Sequence, residues 1–231
     1  LFSERHTSLI ANWLRVGYCQ GNFNSDNCPA GGYTLDYGPF GFCEIFDTKF
    51  QPWTGGGEHF AFFNQPRAAE ANYHMFWAAV RPLVAEDADA LKLLDNIRQE
   101  FAETMQQQLQ AMWAAKLGLA EFNPQLLTQL IELMSRSEVD YTIFFRELSN
   151  IPDDILALKK SFYASTSTQL DEKWQNWLKA WRKLVIQDDD QEEISKKMKQ
   201  VNPKFTWREW LVVPAYEQAQ QGDYSFVKEV L

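Results

Sequence analysis

The sequence predicts a mainly α fold with one small β-hairpin and a C-terminal helical extension. Three observations predict it. Apolar residues recur at helical spacing in several long stretches. Nine of the eleven glycines lie within residues 1–66, which marks that region as tight turns and close backbone approach. Residues 67–231 are instead rich in Leu, Gln, Lys, Glu and Ala, which favour helix. The chain therefore divides at about residue 66. A glycine-rich segment that holds the chemistry (1–66) is followed by a helical body (67–231).

His6 to Val16 reads as the first helix, with Leu9, Ile10, Trp13 and Leu14 on its apolar side and Gly17 placed to end it. A loop closing on Asp26-Asn27 follows. A hairpin turn is expected at Ala30-Gly31-Gly32, leading into a short strand, Tyr33-Thr34-Leu35. The Gly55-Gly56-Gly57-Glu58-His59 run lacks the Lys-Ser/Thr of a phosphate loop and reads as a surface loop near the site, anchored by Trp53 and Phe60. His74 falls in a helix with Tyr73, Phe76 and Trp77 and reads as structural. Phe101, Met105, Leu109, Met112 and Trp113 share one helical face. Asn123-Pro124 reads as an N-cap with proline in the first turn, before Leu126, Leu127, Leu130, Ile131 and Met134. Asp140-Tyr141-Thr142 begins a further helix. Trp174, Trp177 and Trp181 form a stripe at the spacing of a packed core face rather than a ligand platform. Asp188-Asp189-Asp190 is expected in a solvated loop, followed by a helix from Gln191 to Lys199. Helical patterns around Trp207–Leu211 and Pro214–Gln221 end the chain.

With 231 residues, 45% hydrophobic and 23% charged, the composition is globular and suits one large domain or two small ones. A net charge of −9 argues against a general nucleic-acid binder, because neutralising phosphates needs clustered Lys and Arg. It leaves room for a nucleotide held by a few local residues and a metal. No apolar run approaches the ~20 residues that cross a bilayer, so no membrane partner is expected. The first residue is Leu1, not Met, and a fragment or a processed product is expected, with any targeting region out of view. Cys19, Cys28 and Cys43 contain no C-x-x-C pair, and neither His59 nor His74 stands at zinc-ligand spacing. Three free thiols in a reducing compartment are expected.

The informative segment is Val16 to Phe42. An Asp and an Asn are adjacent in a loop at Asp26-Asn27, and a second Asp, Asp36, follows ten residues on, before Tyr37-Gly38. Transfer from a nucleoside triphosphate needs a hard divalent cation, which takes oxygen ligands from one or two carboxylates or amides. An Asn amide oxygen plus an Asp carboxylate supplies such a pair, and a further Asp accepts a hydroxyl proton. Protein kinases arrange an Asp and an Asn in a catalytic loop and a metal-binding Asp before Phe-Gly. This segment departs from that plan: the Asn is adjacent to the Asp, Tyr37 replaces Phe, and no His-Arg-Asp precedes the loop. Asn, Asp and Gly are also ordinary turn formers, so the combination carries the argument rather than any one residue.

Asn24-Ser25-Asp26-Asn27, the run from Tyr33 to Phe42 that includes Asp36-Tyr37-Gly38-Pro39-Phe40-Gly41-Phe42, and Asn64-Gln65-Pro66 together resemble the selenoprotein O family, the YdiU-type pseudokinases that act as protein adenylyltransferases. Arg15-Val16-Gly17-Tyr18 fits the segment before that family's catalytic loop, and Asn202-Pro203-Lys204-Phe205 and Gly222-Asp223-Tyr224 match weaker signatures. The resemblance implies a protein-kinase-like C-terminal lobe and transfer of AMP from ATP to Ser, Thr or Tyr hydroxyls of proteins. It implies Asp26 as catalytic base and Asn27 and Asp36 as ligands of Mg²⁺ or Mn²⁺, with Asp36 next to the nucleotide phosphates through the metal. Gln20 and Cys28 stand where members commonly carry His and Met. The family's N-terminal nucleotide-binding lobe and its C-terminal redox Cys or selenocysteine are not in this sequence. Bacterial members imply the cytoplasm and eukaryotic ones the mitochondrion. An inactive helical binding or regulatory module and conventional kinase chemistry are the alternative readings.

Overall fold

Helix α1 (Phe2–Val16) starts four residues earlier than the apolar spacing predicts, because Phe2 packs edge-on against Phe76 at 4.6 Å and extends the buried face. Gly17 ends it in the left-handed conformation, φ 79°, with its N–H on the Leu14 carbonyl. A Cβ at Gly17 would lie 3.0 Å from the Tyr141 ring, so conformation and space both call for glycine there. The computed structural model describes residues 1–35, 38, 40–53, 55–186 and 190–230. Asp36 and Tyr37 of the expected metal-binding run, and Asp188 and Asp189 of the expected acidic loop, lie outside the described residues.

The fold is mainly helical, with one two-stranded antiparallel sheet. Strands β1 (Tyr18–Gln20) and β2 (Phe40–Phe42) pair Tyr18 with Phe42, Cys19 with Gly41 and Gln20 with Phe40. This corrects the expected hairpin. The turn at Ala30-Gly31-Gly32 is present, closed by the Gly32 N–H on the Pro29 carbonyl at 3.1 Å. Tyr33-Thr34-Leu35, however, forms no strand, and Tyr33 and Leu35 are exposed. Two tertiary contacts hold the segment instead. Trp13 Nε1 donates to Thr34 Oγ1 at 2.9 Å, and the Gly32 backbone lies so close to Arg5 that a Cβ there would meet the Arg5 Cβ at 2.4 Å. The strands that do pair flank the whole loop, joined by aromatic contacts of Tyr18 with Phe40 and Phe42.

Helices α2 (Gln65–Val80), α3 (Ala88–Gln99) and α4 (Phe101–Lys116) follow, and α1 packs chiefly on α4 and α2. Helix α3 has no fully buried residue, although Leu91, Leu94 and Ile97 share one face of it; Asp87 caps it by accepting from Asp89 and Ala90 N–H. Helix α5 (Pro124–Ser135) opens as expected, with the Asn123 side chain accepting from Leu126 N–H. Asp140 caps α6 (Tyr141–Leu148) through Ile143 N–H. In α7 (Thr168–Val185) the three tryptophans are buried core. Each indole N–H is satisfied: Trp174 on Ser137, Trp177 on the Leu126 carbonyl, Trp181 on the Leu117 carbonyl. Helix α8 (Gln191–Val201) is capped by Asp190, and α9 (Glu209–Gln220) and α10 (Ser225–Val230) end the fold. The two C-terminal patterns prove to be one helix, α9, with Pro214 inside it. Proline removes one bond, to the carbonyl four residues back, on a helix whose residues are mostly exposed.

Two buried polar centres tie the helices together. Lys116, fully buried, donates to the Arg15 carbonyl at 2.8 Å and to Asn202 Oδ1 at 3.0 Å, with its ammonium 3.8 Å from the Phe145 ring centroid. Asn202 returns its amide to the Lys116 carbonyl and to Ser149 Oγ. The second centre is Arg208, which clamps Asp140 through two bonds at 2.6 and 2.8 Å. Burial pushes the Asp140 carboxyl up, but the bonds from Arg208, Ile143 N–H and Tyr163 outweigh it and leave it below its ordinary value.

Replacing Asn202 with Ala leaves a buried ammonium, a carbonyl and a hydroxyl short of partners. It is expected to cost about 3 kcal/mol in urea unfolding, with the denaturant slope unchanged. His6 on α1 gives a pH prediction. Burial lowers its pKa to about 4, opposed in part by a hydrogen bond to the backbone of Ala69. The fold holds the neutral imidazole, while the unfolded chain takes up a proton near pH 6.5. The stability it contributes is therefore present above pH 6.5 and is lost as pH falls towards 4, by about 3 kcal/mol in all. The groups facing the ring are the Cys28 thiol and the aromatic rings of Phe2, Phe23 and Phe101. In a His6→Phe chain, unfolding free energies between pH 7 and pH 4.5 should lose that part of the slope.

Candidate active site

The expected catalytic loop is built from its two ends inward. Its near end is fixed by Gln65, the first residue of α2 and fully buried. The Gln65 amide donates to the Tyr18 carbonyl at 2.9 Å and to the Phe62 carbonyl at 3.1 Å, while its oxygen accepts from Gln20 N–H at 2.9 Å. One amide thus serves both a donor and an acceptor of β1 on the side the sheet leaves open. Two turns further along α2, Asn72 donates to the Phe23 carbonyl at 2.9 Å. The Phe23 ring is buried between His6 and Trp13 and anchors the loop to α1.

From Phe23 the chain enters a single helical turn, Ser25–Asn27. It is closed by Asn27 N–H on the Asn24 carbonyl at 3.0 Å. Asn27 Nδ2 donates to the Asn22 carbonyl at 2.9 Å, and Asn24 Nδ2 to Asn22 Oδ1 at 2.6 Å. Asp26 is exposed at the middle of this turn, and Asn27 is half-buried. Pinning the amide nitrogen of Asn27 orients its oxygen, which accepts no hydrogen bond among the described residues. The turn therefore presents the Asp26 carboxylate to solvent, with the Asn27 amide nitrogen held by the Asn22 carbonyl beside it. Asp36 lies outside the described residues, which contain no group of three or more His, Cys, Asp or Glu placed to hold a metal.

Around the turn the structure is apolar and neutral. Cys28 Sγ lies 3.5 Å from His6 Nε2, and burial raises its pKa to about 11. Burial raises Cys19 and Cys43 to about 12, and their thiols point at the Phe60 and Ile45 carbonyls. All three cysteines are free, as expected, and protonated at neutral pH. The glycine run sits against the start of the loop. Gln51 Nε2 bridges the Gly57 and Gly21 carbonyls, and a Cβ at Gly56 would lie 3.0 Å from Gly21 O. Phe60 is buried and anchors that run, whereas Trp53 is exposed. His74 is half-exposed on α2, 4.0 Å from Glu70.

Beside the turn opens a depression of about 220 Å³, lined by Ser25, Cys28, Phe2, Asn72, Met75 and Phe76. A larger cavity of about 580 Å³ lies between residues 155 and 171 and touches none of the expected site residues. The supporting residues Gln65, Asn72 and His6 have no site role in the sequence reading. Gln65 stands in the quoted Asn64-Gln65-Pro66, but nothing local in that run shows that a helix-starting glutamine reaches back to a strand 45 residues earlier. No helix among the described residues is long and apolar enough to cross a membrane.

Comparison with known proteins agrees with the resemblance. The family described as protein adenylyltransferase SelO matches residues 2–231. A protein nucleotidyltransferase YdiU of Aromatoleum aromaticum is 35% identical over 240 residues, covering 99% of this chain and 45% of that protein. Those of Azoarcus sp. strain BH72 and Xanthomonas euvesicatoria are 33% and 34% identical, covering 98% and 99% of this chain. The chain thus spans about 45% of the length of these relatives. A match over nearly every residue places the chain in the SelO family.

Proposed function

We propose that this chain carries the catalytic loop of a metal-dependent protein adenylyltransferase, within a protein-kinase-like C-terminal lobe. The observation that carries the reading is the braced turn at Ser25–Asn27, which presents the Asp26 carboxylate to solvent beside an amide oxygen oriented by its own pinned nitrogen. Family membership and the relatives' name, protein nucleotidyltransferase, support transfer of a nucleotide to protein.

In this reading Asp26 is the base. It accepts the proton of a Ser, Thr or Tyr hydroxyl as that oxygen bonds to the α-phosphorus of ATP. The bond from the α-phosphorus to the bridging oxygen breaks, and pyrophosphate leaves with its electron pair. Asn27 and Asp36 would hold Mg²⁺ or Mn²⁺, which when bound neutralises phosphate charge. The donor set of one amide and one carboxylate fits a hard cation that keeps water and phosphate in its remaining positions. The depression beside Ser25 leaves room for an acceptor side chain to approach the turn. Catalysis then rests on positioning and charge neutralisation, which suits a turn braced by three neighbouring amides.

The test is mass spectrometry of acceptor proteins incubated with ATP and Mn²⁺ and a protein of the relatives' full length that contains this chain. Addition of AMP is expected, reduced about 10²–10⁴-fold by Asp26→Asn, the range for loss of a general base. Addition of phosphate instead would establish kinase chemistry and reject this reading. No addition of either kind would leave the inactive helical module.

A further inference from the structure

A second candidate site is marked by charge rather than by sequence motif. A cavity of about 480 Å³ is lined by Arg146, Lys160, Lys199 and Lys204, with Glu147, Asn150 and Ile143 completing the wall. The chain as a whole carries −9, so four cations around one opening run against its average. Among the described residues none of the four lies within 4.0 Å of a carboxylate, although other surface lysines and arginines have found such partners. The one acid of the lining, Glu147, accepts from Asn150 Nδ2 at 3.3 Å.

The cations come from four separate segments: α6, the short helical turn Ile155–Ser161, the last turn of α8, and the loop after it. Arg146, Lys160 and Lys199 each lie in the last turn of their element, where a helix C-terminus favours a cation, but that does not account for their convergence with Lys204 on one opening. Arg146 is fixed in place. Its Nη1 donates to the Lys199 and Asn202 carbonyls at 2.9 and 3.0 Å, and Asn202 is itself locked in the buried network with Lys116. Its Nε and Nη2 donors have no protein partner among the described residues. A planar guanidinium fixed on one side, with three flexible ammonium groups around it, is the donor set that matches a tetrahedral oxyanion. The volume falls in the range of small-molecule sites.

We propose that this cavity binds a phosphate group, whether free as an inorganic phosphoanion or carried on a phosphorylated protein side chain. The elements that form it hold neither Asp26 nor Asn27, and the proposal does not depend on the nucleotidyl-transfer reading.

Calorimetric titration of the chain with pyrophosphate tests it. The buffer is low in salt and contains EDTA, which silences any site that needs a divalent cation. Saturable binding near one equivalent is expected, weakened at least about tenfold in a Lys160→Gln/Lys204→Gln chain, since screening and loss of two of four cations act on the same attraction. Both lysines are exposed, so the variant should fold, and its thermal melt checks this. A Lys92→Gln/Lys183→Gln chain removes the same charge from exposed positions outside the cavity and should bind as the parent does. Competition by a phosphoserine peptide, but not by its serine counterpart, identifies a protein-borne phosphate; no competition identifies the free anion. Absence of saturable binding, or an equal loss in both lysine pairs, overturns the proposal.

Discussion

Everything near the loop depends on how α1 ends. The last carbonyls of a helix have no intrahelical partner, and here they face the interior. Tyr141 donates its hydroxyl to the Leu14 carbonyl at 2.7 Å, and Lys116 donates to the Arg15 carbonyl at 2.8 Å. Burial lowers the Lys116 pKa well below its ordinary value, and the charge of Arg15 adds to that effect. The ammonium is tolerated because a carbonyl, the Asn202 oxygen and two ring faces replace its water. Helices α4, α6 and α8 are therefore arranged about the point where the chain leaves α1, turns at Gly17 and enters β1. A shift of that point would move every residue of the loop that follows.

Legibility follows from range. Helices α4, α5 and α7 could be read because each buries a continuous stripe, and the Asn123 cap of α5 lies three residues from the N–H it satisfies. Helix α3 was missed although Leu91, Leu94 and Ile97 recur at helical spacing after the Asp87 cap; in the fold that face is only half-buried. The sheet was misplaced for a different reason. Tyr33-Thr34-Leu35 has strand-like residues after a glycine turn, but a two-stranded ladder is marginal unless its side chains pack. Tyr18, Phe40 and Phe42 bring that packing from either side of the loop, a pairing no local window contains.

The candidate site divides in the same way. Asp26 and Asn27 were visible as adjacent ligand types, with their role supplied by family resemblance. The residues that hold them were not visible, since Gln65 and Asn72 reach back 45 and 49 residues to backbone groups. Asparagine and glutamine carry no sign of their partner, because an amide bonds any donor or acceptor within reach.

That choice of partner has a consequence for the chemistry. The side chains that clamp the Ser25–Asn27 turn and the strand leading to it (Gln65, Asn72, Asn24 and Asn27) are amides, and the buried ion pair, Arg208 with Asp140, belongs to a different part of the fold. A lysine or arginine at position 65 or 72 could also bond the same carbonyls. It would place a fixed positive charge beside the loop, competing with any cation for the Asp26 carboxylate, and would be costly to bury with no acid opposite. Amides satisfy the backbone on both its donor and its acceptor sides and add no net charge. The scaffold thus fixes where the loop is and leaves its electrostatics to the acidic residues it presents and to what they bind.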